Sequence, residues 1–134
     1  MTTKRPLSFL RLALLGDAAA SAATGLAMAG GASLIDGLLG LPEPLLRYAG
    51  LFLVPYGLFV AFVGTREHIA RGAVLAIVAI NVLWVIESLA ILIGGWVAPT
   101  ALGTAFVLFQ AAVVGGFAVA QWLGLRRDAR LSPA

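Results

Sequence analysis

Cysteine is absent from this 134-residue chain, and histidine, lysine and charged residues in general are scarce. Without cysteine the chain has no disulfide, no thiolate metal site and no cysteine nucleophile. A single histidine, His68, excludes a bis-histidine haem or a multi-histidine metal cluster within one chain. The sequence also lacks an HExxH motif and a glycine-rich loop before a Lys-Ser/Thr pair. These absences make an enzyme the less favoured class, and we expect no metal ion or other cofactor.

Apolar residues are abundant, at 61% of the chain, whereas 11% of the residues are charged. They form four runs, each near the ~20 residues that a helix needs to cross a ~30 Å hydrocarbon layer. The runs are Leu7–Met28, Leu45–Gly64, Ala73–Gly94 and Thr100–Leu125. The sequence thus predicts an all-α membrane protein, an antiparallel bundle of four transmembrane helices forming one domain over residues 1–134. The lipid bilayer is its first partner, and the net charge of +3 is attributed to membrane topology rather than to nucleic-acid binding.

The basic residues predict how the chain is threaded. Arg47 is the one basic residue in the first and third connections, and the remainder flank the runs on the other side: Lys4, Arg5, Arg11, Arg66, Arg71, Arg126, Arg127 and Arg130. Because cytoplasmic loops carry the excess of Lys and Arg, both termini are predicted to be cytoplasmic. Eight arginines to one lysine, together with abundant Ala and Gly, favour a GC-rich bacterial gene, and hence the inner membrane. The alternative, a cleaved signal peptide, is disfavoured because Asp17 interrupts its apolar region.

The connection after the first span has two interpretations. Gly30-Gly31 is predicted to end the first helix, and Ser33–Leu41 is too short to span a membrane. Its leucines and isoleucine recur on one face with Asp36 opposite, which favours a short helix at the outer interface. The alternative is a plain extension of the first helix.

Two ionisable residues, Asp17 and Glu87, are predicted to be buried inside the spans, where a charge is costly and therefore suggests function. Asp17 shares a face with Ser21 and Thr24 in the cytoplasmic third of its span. One interpretation is a proton or cation site. The other is structural: the carboxylate pairs with a nearby arginine or accepts a hydrogen bond from Gln121 on the fourth span, at a matching depth.

Further polar residues are predicted to meet near the middle of the membrane. Asn81, Trp84 and Ser88 share one face of the third span, with Glu87 at its border. Tyr56 and Gln110 have a similar predicted depth. Tyr56, Asn81 and Gln110 are therefore expected to form one hydrogen-bonded layer, because each otherwise leaves polar atoms unsatisfied in hydrocarbon. Glu87 is expected to pair with Arg47 on the outer side, or to accept from Thr100 or Thr104.

Two short stretches carry a resemblance to known proteins. NVLW at positions 81–84 and GWVAPT at 95–100, followed by LG at 102–103, look like the signature of a family of uncharacterised four-span bacterial membrane proteins. In size and layout the chain loosely resembles the DoxX-like group. The resemblance implies a four-helix membrane fold and transfers no functional residue. Small multidrug exporters also use a carboxylate in the first span, but this chain lacks their other motifs and has a strong loop charge bias.

Two functions are expected from these features. Small residues recur at four-residue spacing in Gly16-Ala20-Thr24 and Ala112-Gly116-Ala120, as in close helix contacts. They favour an accessory protein that packs against a larger membrane complex or forms a homo-oligomer. The alternative is a carrier or binding pocket for a small apolar or cationic ligand, lined by Tyr56, Asn81, Trp84, Glu87 and Gln110. A membrane enzyme acting on a quinone or lipid is a third hypothesis, and no catalytic residue is predicted.

Overall fold

The computed structural model describes residues 8–131, with side chains to Arg127. Within this range the chain forms four helices: α1 (Phe9–Leu39), α2 (Glu43–Thr65), α3 (Arg71–Ile93) and α4 (Ala101–Leu131). Each helix is long and apolar enough to cross a membrane. The predicted all-α fold of four transmembrane helices is therefore confirmed. Lys4 and Arg5 lie outside the described residues, as does the side chain of Arg130.

Helix α1 is longer than the sequence predicts. Ser8 caps its N-terminus, because the Ser8 Oγ accepts a hydrogen bond from the backbone N–H of Arg11 at 3.0 Å. Gly40 caps its C-terminus, with a left-handed φ of 66° and an N–H that donates to Asp36 O at 2.8 Å. Gly40 suits this position because the left-handed conformation strains residues with a Cβ.

The predicted end of this helix at Gly30-Gly31 is wrong, and a separate interfacial helix is not observed. Residues 33–39 continue α1, as the alternative interpretation had it. A glycine costs a helix only about 1 kcal/mol. A broken helix in a bilayer leaves several backbone groups without partners, which costs more. At 1.5 Å per residue α1 is about 46 Å long, so it extends beyond a ~30 Å hydrocarbon layer.

Close packing of α1 on α2 depends on glycine. Gly50, Gly57 and Gly64 recur every seven residues along α2 and are all buried. A Cβ added to Gly57 would lie 2.9 Å from the backbone N of Ala22 and 3.0 Å from the backbone O of Ala18. From the opposite side, a Cβ on Gly25 would lie 2.9 Å from the backbone O of Gly50. The two backbones therefore approach too closely for a larger residue, as in small-residue membrane interfaces.

Thr100 fastens the C-terminal end of α1 to the start of α4. Its backbone N–H donates to Leu39 O at 3.0 Å and its Oγ1 donates to Leu38 O at 2.7 Å. The same Oγ1 accepts from the N–H of Gly103 at 3.0 Å, which caps the first turn of α4. Thr100 is thus occupied by backbone partners and is not the predicted partner of Glu87.

At the opposite end of the bundle, Arg11 of α1 holds the end of α2. Its Nη1 donates to Gly64 O at 2.5 Å and to Arg66 O at 2.8 Å. These carbonyls belong to the helix C-terminus, where intrahelical partners run out and the helix dipole attracts a cation. Arg11 therefore satisfies the end of α2 and fixes its position relative to the start of α1.

Helix α3 packs unevenly against its two neighbours, α4 and α2. It packs closely against α4, whereas its backbone approaches α2 at very few points. Between α2 and α3 lie stacked aromatic side chains: the ring centroids of Phe52 and Trp84 are 6.0 Å apart, and those of Phe52 and Tyr56 are 5.6 Å apart. The bundle is thus tight between α1 and α2 and open between α2 and α3.

Replacing Gly57 by alanine should lower the free energy of unfolding by about 1–3 kcal/mol, because the new Cβ overlaps the α1 backbone. Gly116→Ala on α4 is the matched control, since a Cβ there meets no atom within 4 Å. Equilibrium unfolding in mixed detergent micelles measures both. Equal stabilities of the two variants would contradict the close α1–α2 contact.

Candidate functional site

A buried carboxylate, Asp17, lies at the centre of a polar cluster in the bundle. Its residue is 1% exposed. Oδ2 accepts hydrogen bonds from Asn81 Nδ2 and Gln121 Nε2, both at 2.8 Å, and Oδ1 accepts from Ser21 Oγ at 3.1 Å. The predicted burial of Asp17 is confirmed, and of the two structural partners expected for it, a nearby arginine or Gln121, the structure has Gln121.

Asn81 connects the Asp17 carboxylate to α2. Its Oδ1 accepts from the hydroxyl of Tyr56 at 2.8 Å, and its Nδ2 also donates to Gln121 Oε1 at 3.0 Å. The cluster therefore has members from all four helices: Asp17 and Ser21 from α1, Tyr56 from α2, Asn81 from α3 and Gln121 from α4. Among the described residues, no buried side-chain nitrogen or oxygen lacks a partner. We call these five residues the inner polar cluster.

Gln110 belongs to a second polar group rather than to this one. Its Oε1 accepts from Trp84 Nε1 at 2.6 Å, and its Nε2 donates to Ser88 Oγ at 3.0 Å. The predicted single layer of Tyr56, Asn81 and Gln110 is therefore wrong in its third member.

The depths of these residues in the bundle explain the difference. Gln110 and Gln121 are eleven residues apart on α4, about 16 Å along the axis. Asp17 and Asn81 lie about 12 and 15 Å from the starts of their helices, close enough in depth to meet.

Glu87 is exposed on the protein surface, so its predicted burial is wrong. The expected pairing with Arg47 is wrong as well, because Arg47 Nη2 pairs with Glu43 Oε1 at 2.7 Å on its own helix. Asn81 and Ser88, seven residues apart, face inward and are buried. Glu87 precedes Ser88 by one residue and is rotated about 100° from it on a helix of 3.6 residues per turn. This rotation turns it from the bundle interior to the gap beside α2.

The gap between α2 and α3 contains a cavity of about 440 Å³, which we call the outer cavity. Residues from all four helices and from the α1–α2 connection line it: Thr24, Met28, Leu41, Pro44, Leu45, Leu46, Tyr48, Ala49, Trp84, Glu87, Ser88, Ile91, Phe106, Val107 and Gln110. Tyr48 is 71% exposed and Glu87 is exposed too, so the cavity reaches the surface between α2 and α3. Trp84, Glu87 and Gln110 are the predicted ligand-site residues that line it.

A second cavity of about 200 Å³, which we call the inner cavity, lies beside the first and is lined in part by Asp17. The two have Thr24, Trp84, Phe106 and Gln110 in common. Asp17 and Ser21 line the inner cavity, whereas Tyr56 and Asn81 line neither of the two. The five predicted ligand-site residues are thus divided between the cavities and the inner polar cluster.

Some residues of this site were not identified from the sequence as part of a pocket. Phe106 lines both cavities and Tyr48 lines the outer one, but in an apolar span an aromatic residue gives the same signal whether it faces lipid or a cavity. Among the side chains described, those of residues 8–127, no group of three His, Asp or Glu comes together to hold a metal ion. The site is therefore chemically simple: apolar and aromatic walls, a few amides and hydroxyls, and two carboxylates.

Substituting Asn81 by leucine should lower the free energy of unfolding by about 1–2 kcal/mol, because Asp17, Tyr56 and Gln121 each lose a partner in a buried setting. Thr65→Val is the control, since Thr65 is exposed and its hydroxyl bonds only to carbonyls of its own helix. Tyr56→Phe should cost less in the Asn81→Leu background than in the wild type. Additive effects of these two substitutions would show that the inner polar cluster is not coupled.

Comparisons with protein-family models, with curated proteins and with solved structures give no match to this chain. The loose resemblance in layout to the DoxX-like group therefore stays a prediction. The function has to be argued from the geometry of the two cavities and the inner polar cluster.

Proposed function

We propose that this chain is a small membrane protein that binds an apolar or cationic small molecule in the outer cavity, as a carrier or a receptor. The observation that supports the proposal is the cavity itself, about 440 Å³ between α2 and α3. Ligand sites in proteins are concave, mostly apolar and about 300–1,000 Å³ in volume, with a few polar groups that orient the ligand. Trp84, Ser88 and Gln110 are such groups here, linked by hydrogen bonds at 2.6 and 3.0 Å.

The position of the cavity supports a ligand that arrives from the membrane or its outer surface. Helices α2 and α3 approach each other at few points, so the bundle is open on the side where Tyr48 and Glu87 are exposed. Apolar molecules concentrate in a bilayer because water excludes them. An opening toward lipid would therefore admit such a molecule without passage through water.

Filling the outer cavity should block binding. Ala49 lines it, so Ala49→Trp places an indole in the space, while Ala79→Trp adds the same group at an exposed site of α3. The probe is the aryl diazirine 3-trifluoromethyl-3-phenyldiazirine, photolysed with the protein in lipid nanodiscs and located by peptide mass spectrometry. Labelling at Ile91 and Phe106 should fall about threefold or more in Ala49→Trp and not in Ala79→Trp. Labelling no stronger than at lipid-facing residues would contradict a ligand site.

A second candidate function, an accessory subunit or a homo-oligomer, is favoured by one surface of α4. Ala112 and Gly116 are exposed, and a Cβ at Gly116 meets no atom of the chain within 4 Å. Small residues without an intramolecular partner allow another helix to approach closely. On α1 the corresponding face is partly used within the chain, because Gly16 lies against the ring of Phe117. This candidate therefore depends on α4 rather than on both helices.

Gly116→Leu should dissociate the assembly if α4 forms this contact, because a leucine prevents close approach. Native mass spectrometry of the gently extracted protein measures the stoichiometry and any partner. Ala79→Leu, at an exposed site of α3, is the control for added volume. A monomer in the wild type, with no partner and no change in Gly116→Leu, would exclude the candidate.

We also propose that the protein lies in a bacterial inner membrane with both termini in the cytoplasm. The support is the charge distribution: Arg66 and Arg71 flank the α2–α3 connection and Arg126 and Arg127 lie near the end of α4, whereas the α3–α4 connection has no basic residue. Arg11 also lies at this basic end, since it binds the last carbonyls of α2.

The absence of cysteine makes this topology simple to test. In single-cysteine variants, Ala98→Cys should react with a membrane-impermeant maleimide added to spheroplasts. His68→Cys should react only after the membrane is permeabilised, because its connection is cytoplasmic. The opposite pattern would invert the topology.

A further inference from the structure

The ionisable side chains that line the two cavities, apart from tyrosine, are acidic. Glu87 lines the outer cavity and Asp17 lines the inner one, and neither lining contains a lysine, arginine or histidine among the described residues. The one ion pair formed within residues 8–127 is Arg47 with Glu43, which leaves both cavity carboxylates without a cationic partner there. In a medium of low dielectric constant, a carboxylate attracts a cation much more strongly than it does in water.

Aromatic side chains surround the same space. Trp84 and Phe106 line both cavities, Tyr48 lines the outer one, and Phe109 and Phe117 line the inner one. The face of an aromatic ring attracts a cation within about 6 Å of its centroid, and such walls recognise quaternary ammonium groups in particular. The lining therefore combines two features that stabilise an organic cation: carboxylates and aromatic side chains.

The three hydrogen bonds that Asp17 accepts do not use all of its acceptor positions. Its Oδ2 accepts two hydrogen bonds, whereas its Oδ1 accepts one, from Ser21, which also lines the inner cavity. A carboxylate oxygen has about two acceptor positions. Oδ1 therefore accepts one hydrogen bond fewer than it has acceptor positions, and its partner Ser21 lines the cavity. The inner polar cluster meanwhile holds the carboxylate in place.

We propose that the two cavities form one site for an organic ammonium ion. Its charged group lies beside Asp17 in the inner cavity, its apolar body extends between Trp84 and Phe106 into the outer cavity, and Glu87 attracts it at the surface. This inference rests on the proposed ligand-binding function and names the chemical class of the ligand. A bare metal ion fits less well, because the walls are aromatic and apolar rather than lined by oxygen ligands.

The experiment uses a cation and its uncharged isostere, phenyltrimethylammonium and tert-butylbenzene. Each competes with the aryl diazirine for labelling of the outer cavity, with the protein in nanodiscs of zwitterionic lipid. The cation should compete about tenfold better than the neutral compound after correction for partitioning into lipid. Asp17→Asn should remove most of that preference, and Asp36→Asn, which removes a carboxylate near the outer end of α1, should leave it unchanged.

Glu87→Gln keeps the test decisive if Asp17→Asn fails to fold. Glu87 is exposed and outside the inner polar cluster, and its loss should weaken competition by the cation about threefold without affecting the neutral compound. Equal competition by both compounds, unchanged in Asp17→Asn and Glu87→Gln, would overturn the cation inference and leave the ligand site standing. Competition by neither compound, together with no preferential labelling of the cavity, would overturn the proposed function itself.

Discussion

The cost of placing a carboxylate inside a membrane bundle governs this structure. Asp17 is 1% exposed, and an unsatisfied charge in hydrocarbon is expensive. The bundle satisfies it with donors from other helices: Asn81 from α3 and Gln121 from α4, both at 2.8 Å. Tyr56 of α2 completes the set through Asn81. One buried side chain thus constrains the relative depth and rotation of all four helices.

The helices pack closely between α1 and α2 but loosely between α2 and α3, and this difference leaves room for the outer cavity. Gly25, Gly50 and Gly57 bring the backbones of α1 and α2 together, and Thr100 fastens α4 to α1. No comparable small-residue contact joins α2 to α3, which meet mainly through aromatic side chains and the hydrogen bond between Tyr56 and Asn81. A membrane bundle has little hydrophobic drive to close such a gap, since lipid tails are as apolar as its side chains. The cavity is therefore compatible with a stable fold.

The sequence predicts the helices well because the span length is set by the bilayer, and it predicts the Asp17–Gln121 contact because depth follows from residue counting. It places the end of α1 too early, at Gly30-Gly31. The low helix propensity of these glycines is outweighed by the cost of leaving backbone N–H and C=O groups without hydrogen-bond partners in a bilayer. It misplaces Gln110 and Glu87 for different reasons. Gln110 lies about 16 Å from Gln121 along α4, at a depth where it meets Trp84 and Ser88 rather than Asn81. The surroundings of Glu87 depend on how α3 is rotated relative to α2, and that rotation is not encoded in local periodicity.

Solid-state NMR of the protein in lipid bilayers tests the inner polar cluster most directly. Asn81 is the one asparagine of the chain and Asp17 one of three aspartates, so ¹⁵N-asparagine with ¹³C-aspartate isolates the contact. We expect magnetisation transfer from one aspartate carboxyl carbon to the Asn81 side-chain nitrogen, lost in Asn81→Leu. No transfer in the well-folded protein would contradict the buried carboxylate as the organising centre, and with it the assignment of Asp17 to the ligand site.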